Sequence, residues 1–343
     1  MSTLWKWTDA RACCLEGRGW QDTEAPFDRL PARAKGRVPE EVWNLSRQPA
    51  GLTVRFESDA CELRARWEMS YEQLSTIYCP LLAHSGLDLY ARSGGGTWRW
   101  IGFTREIAGC QAEASLTPWG SLQPGWHEFM LYLPLANPLR KLEIGVPEGA
   151  TIRTVPMRTA KPVVCYGTSI VHGMGVSRPG MPHLAILGRR LDYPMITLGF
   201  SGNAKMESAV AGLLAELEAA LFIIDAVPNM GAELIAERAE PFLRHLAAAR
   251  PGTPIVLVED RSYPAGWLTP AAAADNAARR NAWRQVYGRL LAVGIGPLRY
   301  LDGEGLLGID GDGTNDGSHP NDLGSSRMAD ALEPVVRALL GKS

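Results

Sequence analysis

The fold class this sequence predicts is an all-β sandwich or jelly roll followed by a three-layer α/β/α unit with a mostly parallel sheet. Two patterns predict it. Before residue 155, short runs alternate apolar with charged residues and are separated by Gly, Pro and Ser. After residue 160 the runs are apolar on both faces and alternate with long helical stretches, the βα repetition of a covered parallel sheet. Length agrees, since 343 residues exceed what one hydrophobic core usually serves. Two domains are expected, 1–155 and 156–343, joined through residues 151–161.

In the first half, Cys61-Glu62-Leu63-Arg64-Ala65-Arg66-Trp67-Glu68 makes every second side chain apolar or small and the others charged, a half-buried strand. Residues 52–56, 87–91, 97–101, 127–133 and 141–146 add candidates, with turn chemistry such as Ser93-Gly94-Gly95-Gly96 between them. In the second half, strands are expected at 162–166, 195–200, 220–226, 255–259 and 298–301. Helices are expected at 207–219, 234–249, 271–293 and 326–340. No internal repeat or low-complexity tract appears.

Composition excludes several classes. A formal charge of −2 leaves no electrostatic footprint for nucleic acid or an acidic membrane surface. Met1 to Asp9 lacks a basic region followed by an apolar run, and no segment has the length and apolarity of a membrane span, so a soluble, cytoplasmic protein is expected. Six cysteines (Cys13, Cys14, Cys61, Cys79, Cys110, Cys165) fit reduced thiols, and their spacing is no metal motif. No metal or cofactor is expected.

The chemistry concentrates in two places. Val163-Val164-Cys165-Tyr166-Gly167-Thr168-Ser169 is an apolar run ending in a small-residue turn that can lift a serine hydroxyl out of a sheet. Asp316-Gly317-Ser318-His319 supplies a carboxylate and an imidazole three residues apart, which one helical turn can bring together. The carboxylate would hold the tautomer whose other nitrogen takes the serine proton. The pair of motifs points to acyl transfer by a serine nucleophile.

Here the chain resembles the GDSL-like or SGNH hydrolases, in particular the subgroup with an amino-terminal β-sandwich and a Gly-x-Asp-Leu-Tyr signature. Four blocks carry the resemblance: Gly167-Thr168-Ser169, departing from Gly-Asp-Ser in the middle; Leu198-Gly199-Phe200-Ser201-Gly202-Asn203; Asp225-Ala226-Val227-Pro228-Asn229-Met230; and Asp316 to His319 with Pro320-Asn321-Asp322-Leu323-Gly324. The signature is Gly86-Leu87-Asp88-Leu89-Tyr90. The resemblance implies a flavodoxin-like hydrolase domain. It also implies a triad of Ser169, Asp316 and His319, and an oxyanion hole of the Ser169 N–H, the Gly202 N–H and the Asn229 amide. Taken singly, Gly202 reads as a turn glycine and Asn229 as a cap; in the company of the other ordered blocks both read as functional. Each of the three oxyanion residues follows an apolar strand by a few residues, the place where open α/β sheets bind ligands.

Other signals have plainer readings. Gly303 to Gly308 matches Gly-x-Gly-x-x-Gly, but Ile309-Asp310-Gly311-Asp312-Gly313 cannot start a helix behind it. Asp310-x-Asp312-x-Thr314 is half a calcium loop, with Asn315 where glycine belongs and Asn321 where a Glu belongs, and reads as an acidic turn. His172 is a candidate substrate contact or a helix cap. Arg178 is a candidate for a substrate carboxylate or hydroxyl, or for a surface ion pair. His84, His127, His183 and His245 read as surface or core, and Cys165 as a small buried hydrophobe. Nine of the 11 tryptophans lie before residue 130. Trp67 falls on the apolar side of its alternation, and Trp98 and Trp100 are expected on one face of a strand. Carbohydrate stacking by this domain stays open.

The function expected is a serine esterase hydrolysing small acyl esters, with the acetyl and carbohydrate preference taken from the resemblance. Expected partners are a small acyl ester or acetylated carbohydrate substrate, with no nucleic acid and no membrane. Acyl transfer to an acceptor other than water, and a non-catalytic carbohydrate-binding protein on the same scaffold, remain alternatives. The oligomeric state is not legible.

Overall fold

The structure is a computed structural model and describes residues 4–342. The first three residues of the segment scanned for a leader lie outside the described residues. Contacts group the chain into two units. One holds the chain through Ala32, Ser46–Thr159 and Val176–Met181; the other holds Arg33–Leu45, Ala160–Gly175 and the chain from Pro182 onward. A single cut between residues 155 and 156 does not describe this division. Arg33, for instance, forms an ion pair with Glu216 of the second unit.

Among the described residues the first unit contains ten strands: β1 (Trp5–Asp9), β2 (Cys14–Glu16), β3 (Thr53–Ser58), β4 (Arg64–Met69), β5 (Asp88–Arg92), β6 (Arg99–Phe103), β7 (Gln111–Ser115), β8 (His127–Tyr132), β9 (Leu139–Pro147) and β10 (Ile152–Thr154). Two short helices, α1 (Glu40–Ser46) and α2 (Leu81–Ser85), lie in this part of the sequence. Antiparallel pairing builds a sheet in the order β1-β9-β4-β7 and a second in the order β10-β3-β8-β5-β6, with β2 beside β3. The alternation along β4 does what its pattern requires: Ala65, Trp67 and Met69 are buried, while Arg64, Arg66 and Glu68 are not. Those three join Leu142, Ile144 and Val146 of β9 and, from the other sheet, Val54, Phe56, Leu89, Phe129 and Leu131 in one core cluster. Full burial of each large side chain contributes ~1.5–3 kcal/mol, which holds two amphipathic sheets face to face. Trp67 is core, with its indole N–H donating to the Ser85 carbonyl at 3.1 Å. Of Trp98 and Trp100, only Trp100 lies in the strand expected to carry both. Trp98 lies just before β6, buried under the Arg92 guanidinium, whereas Trp100 lies within the strand and is half-exposed.

The second unit carries a parallel sheet of β11 (Val163–Gly167), β12 (Met195–Gly199), β13 (Leu221–Asp225), β14 (Ile255–Val258) and β15 (Leu298–Leu301). Its helices are α3 (Ser169–His172), α4 (His183–Leu191), α5 (Ser208–Glu216), α6 (Ala232–Ala249), α7 (Pro270–Ala292) and α8 (Asp322–Leu339). Every residue of β11, β13 and β14 is buried, as a sheet covered on both faces demands. Val163, Cys165, Leu221, Ile223, Val256 and Val258 pack with Leu184, Leu187 and Leu191 of α4 and Met328, Leu332 and Val336 of α8. Tyr166, of opposite parity, stacks on Phe242 of α6 with ring centroids 5.3 Å apart. The strand order is β12-β11-β13-β14-β15. It reverses direction at β11, so the crevice past the carboxyl ends of β11 and β13 is the topological switch point where such sheets take ligands. Among the described residues no helix is long and apolar enough to cross a membrane.

Candidate active site

Ser169 stands at that switch point. β11 ends at Gly167, and Thr168 takes an extended backbone as the N-cap of α3, its hydroxyl accepting from the Ile170 N–H. This explains how the chain tolerates threonine between Gly167 and Ser169: the middle position is a cap, and Thr and Asp both serve caps. The Thr168 N–H donates to the Asp225 carbonyl at 3.3 Å, tying the turn to the end of β13. Ser169 is the first helical residue, so its N–H has no partner within the helix and points out of its amino end.

Ser169 Oγ lies 2.8 Å from His319 Nε2, and His319 Nδ1 lies 2.5 Å from Asp316 Oδ2. The expected helical turn is absent. Residues 311–320 are turns and bends closed by an isolated antiparallel bridge between Thr314 and Pro320, with Gly317 left-handed at φ +89°. The loop closes because Asp316 Oδ1 accepts the backbone N–H groups of Ser318 and His319 at 2.9 and 2.8 Å, an Asx turn that aims Oδ2 at the imidazole. Partial burial pushes the Asp316 carboxyl up, but the His319 ring and these two N–H groups outweigh it and hold the group below its ordinary range.

Two residues that sequence reasoning missed seat this loop. The Asn315 amide donates to the Gly175 carbonyl. Gly175 has φ +98°, and a Cβ there would come within 2.5 Å of the Pro320 carbonyl oxygen and 3.0 Å of His319 Cβ. Only glycine permits that approach.

The other two candidates lie at the ends of neighbouring strands. Gly202 follows β12 in a left-handed conformation at φ +70°, strained for any residue with a side chain. Asn229 ends a 3₁₀ turn, Val227–Asn229, after β13. Its Nδ2 donates one hydrogen to the Asn203 carbonyl at 2.7 Å, and an amide carries two. The turn is braced from α7, where Arg279 Nη1 donates to the Pro228 carbonyl at 3.1 Å.

The structure therefore brings together Ser169, Asp316 and His319 and places Gly202 and Asn229 after the two strands that flank β11. The two substrate-contact candidates are otherwise engaged. His172 is buried, with Nδ1 3.1 Å from Ser201 Oγ. Arg178 belongs to the first unit, where Nη1 meets Asp88 Oδ2 at 2.7 Å and donates to the Tyr90 hydroxyl at 2.6 Å. Fully buried Asp88 also accepts from the Gly180 N–H at 2.9 Å and the Trp100 indole at 2.7 Å. The aspartate and tyrosine of the Gly-x-Asp-Leu-Tyr signature thus anchor residues 176–181. The acidic turn is an ion pair, since Asp310 Oδ2 accepts from Arg327 Nη2 at 2.6 Å.

Residues 160–337 match the GDSL-like lipase/acylhydrolase family, and residues 5–152 match the amino-terminal domain of SGNH-hydrolase-type esterases. The chain belongs to the GDSL-like lipase/acylhydrolase family. Among solved structures it is similar to a GDSL-like lipase from Bacteroides ovatus, at 31% identity and TM-score 0.93, over 99% of this chain and 100% of that one. It shares its fold with a salicylyl-acyltransferase from a tetracycline biosynthetic pathway (21% identity, TM-score 0.75, 98% and 97% covered). The same holds for an acetyl xylan esterase from the rumen bacterium Butyrivibrio proteoclasticus (12% identity, TM-score 0.61, 99% of each chain). Comparison with curated protein sequences returns no match.

Proposed function

We propose that the protein is a carboxylic ester hydrolase acting on small acyl esters, acetyl in particular, carried by carbohydrates. The observation that carries the reading is the chain of contacts from Ser169 Oγ through His319 to Asp316, at 2.8 and 2.5 Å. Ser169 Oγ attacks the ester carbonyl while His319 Nε2 takes its proton, and the carbonyl π electrons move to oxygen. The Ser169 N–H, the Gly202 N–H and the second hydrogen of the Asn229 amide face that oxyanion, each such donor contributing ~2.7–4 kcal/mol. Collapse expels the alcohol, which receives the proton from His319. Water then attacks the acyl-enzyme, giving its proton to His319, and the acid leaves as Ser169 recovers it. Asp316 holds the imidazole in one tautomer throughout.

The substrate class is supported by the acetyl xylan esterase that shares the fold. The packing of α4 and α8 against one set of strand side chains and of α6 against the other supports the three-layer architecture. Acyl transfer would use the same groups with an alcohol in place of water, a reading favoured by the fold shared with the salicylyl-acyltransferase. Product analysis with added alcohols separates the two.

A serine-directed phosphonate tests the assignment. Ser169→Ala should abolish labelling and turnover of nitrophenyl acetate, whereas Ser177→Ala and Ser201→Ala should still be labelled. Undiminished labelling of Ser169→Ala would overturn it.

A further inference from the structure

A groove of about 710 Å³ lies in the second unit between the loops that follow β14 and β15. One wall is the turn Pro264–Trp267, and the other runs through Gly308 and Ile309. We propose that this groove is a saccharide subsite, binding sugar residues of the leaving group beyond the one that carries the acyl ester; the proposal rests on the carbohydrate-ester reading above.

Position is the first argument. Tyr263 lines the groove, and its hydroxyl accepts from Arg279 Nη1 at 2.9 Å. The same nitrogen donates at 3.1 Å to the carbonyl of Pro228, the residue before Asn229. One guanidinium nitrogen thus separates the groove from the oxyanion turn. Along the sheet, β14 and β15 stand two and three strands from β11, roughly 10 and 14 Å at the usual strand spacing. That offset is the reach of an oligosaccharide and lies beyond a lone acetyl group.

The lining is the second. Trp267 is 85% exposed and Ile309 97% exposed, one on each wall, in a groove of the size that takes small ligands, ~300–1,000 Å³. A flat indole beside an aliphatic side chain suits the C–H face of a pyranose. Of the charged groups lining the groove, Arg280 pairs with Glu259 and Asp302 and Asp310 pairs with Arg327, while Glu304 adds a carboxylate in no ion pair among the described residues. Hydroxyl-bearing ligands fit such a lining, since the Glu304 carboxylate can accept from their O–H groups, whereas an anionic ligand would meet that carboxylate or have to break an existing pair.

Rigidity is the third. Glu259, after β14, accepts from the Gly303 N–H after β15 at 2.8 Å, and Arg280 Nη1 donates to Ser262 Oγ at 3.1 Å. The walls are therefore fixed to each other before a ligand arrives, which lowers the ordering cost of binding.

The test uses the full chain and the variants Trp267→Ala and Ile309→Ser, whose exposure keeps them compatible with folding. Turnover of nitrophenyl acetate should be unchanged. For acetylated xylotetraose, kcat/KM should fall roughly tenfold, the scale of one lost aromatic contact, while acetylated xylose should be unaffected. Calorimetric titration with unacetylated xylotetraose should show binding to the unmodified protein and roughly tenfold weaker binding to Trp267→Ala. Equal kcat/KM on the tetramer for variant and parent, with the tetramer cleaved by both, would overturn the subsite alone. Turnover of nitrophenyl acetate with no cleavage of any acetylated sugar would overturn the substrate class. A dimer by sedimentation that Trp267→Ala converts to monomer would reassign the exposed pair to self-association and overturn the subsite.

Discussion

Replacing Asp316 by asparagine tests the geometry most directly, because it changes one atom of a side chain that does two jobs. Oδ1 accepts two backbone N–H groups and shapes the loop; Oδ2 faces His319 Nδ1. In Asp316→Asn the amide oxygen can keep both loop contacts, so the fold and the position of His319 should survive. The amide nitrogen then faces Nδ1 and donates to it, which places the ring proton on Nε2, the nitrogen that must accept from Ser169. In another serine–histidine–aspartate site the same substitution lowers turnover about 10⁴-fold through this tautomer change. Because the loop contacts are retained here, a loss of roughly 10²–10⁴-fold in kcat is expected, ~2.7–5.5 kcal/mol of barrier. The assay is steady-state hydrolysis of nitrophenyl acetate beside thermal unfolding, with Asp312→Asn as control. Because Asp316 is held below the ordinary carboxylate range, it stays ionised at and above ordinary carboxylate pKa values, and its contribution to stability is lost only as pH falls through its folded value. Any acid loss of activity above that range therefore belongs to another group. Equal rates for Asp316→Asn and Asp312→Asn would refute the reasoning, as would a rate loss explained by unfolding.

Gly175→Ala forces a side chain at φ +98° against the Pro320 carbonyl and His319 Cβ, so a stability loss of ~1–3 kcal/mol and a fall in kcat are expected together; unchanged kcat would show that the His319 loop does not depend on this contact. Asp88→Ala removes the buried acceptor of Arg178, Gly180 and Trp100 and should cost ~3–5 kcal/mol in urea unfolding, with a change under ~1 kcal/mol refuting the anchor. His183 is buried, and burial together with the nearby Arg261 charge lowers its pKa to about 3. The unfolded chain then takes up a proton that the folded one refuses, so stability falls as pH drops from ~6.5 toward 3, by on the order of 4–5 kcal/mol. His183→Leu should flatten that part of the curve, and an unaltered slope in acid titration monitored by circular dichroism would refute it.

The legible elements were those whose burial writes a period into the chain. The alternation around Trp67 announced β4, and the all-apolar runs announced β11, β13 and β14, because a central strand must satisfy a face or two faces with side chains alone. Of the strands left unread, β1, β7 and β10 lie at sheet edges, where partial exposure erases the period, and β2 is three buried residues, too short to show one. Helix α4 was missed although its apolar face packs in the core, and it opens on a histidine after a proline. The division of the chain was legible only in outline. Residues 33–45 and 176–181 change sides through contacts that no local composition encodes, and a truncation beginning at Ala160 would strip Arg33–Leu45 from its own unit.

For the candidate site, the sequence by itself determined which groups are present and in what order: a serine after a strand, a glycine and an asparagine after two others, and Asp316 with His319. Those are chemical identities, carried residue by residue. Tertiary structure decided how they meet. The Asp316–His319 contact comes from an Asx turn through left-handed Gly317, because φ at glycine is unconstrained by sequence and is chosen by the loop's hydrogen bonds. The seat provided by Gly175 and Asn315, the brace from Arg279 to Pro228 and the capture of Arg178 by Asp88 join positions 51 to 140 residues apart. Pairings at such separations are set by which backbones the packed core brings within hydrogen-bond reach.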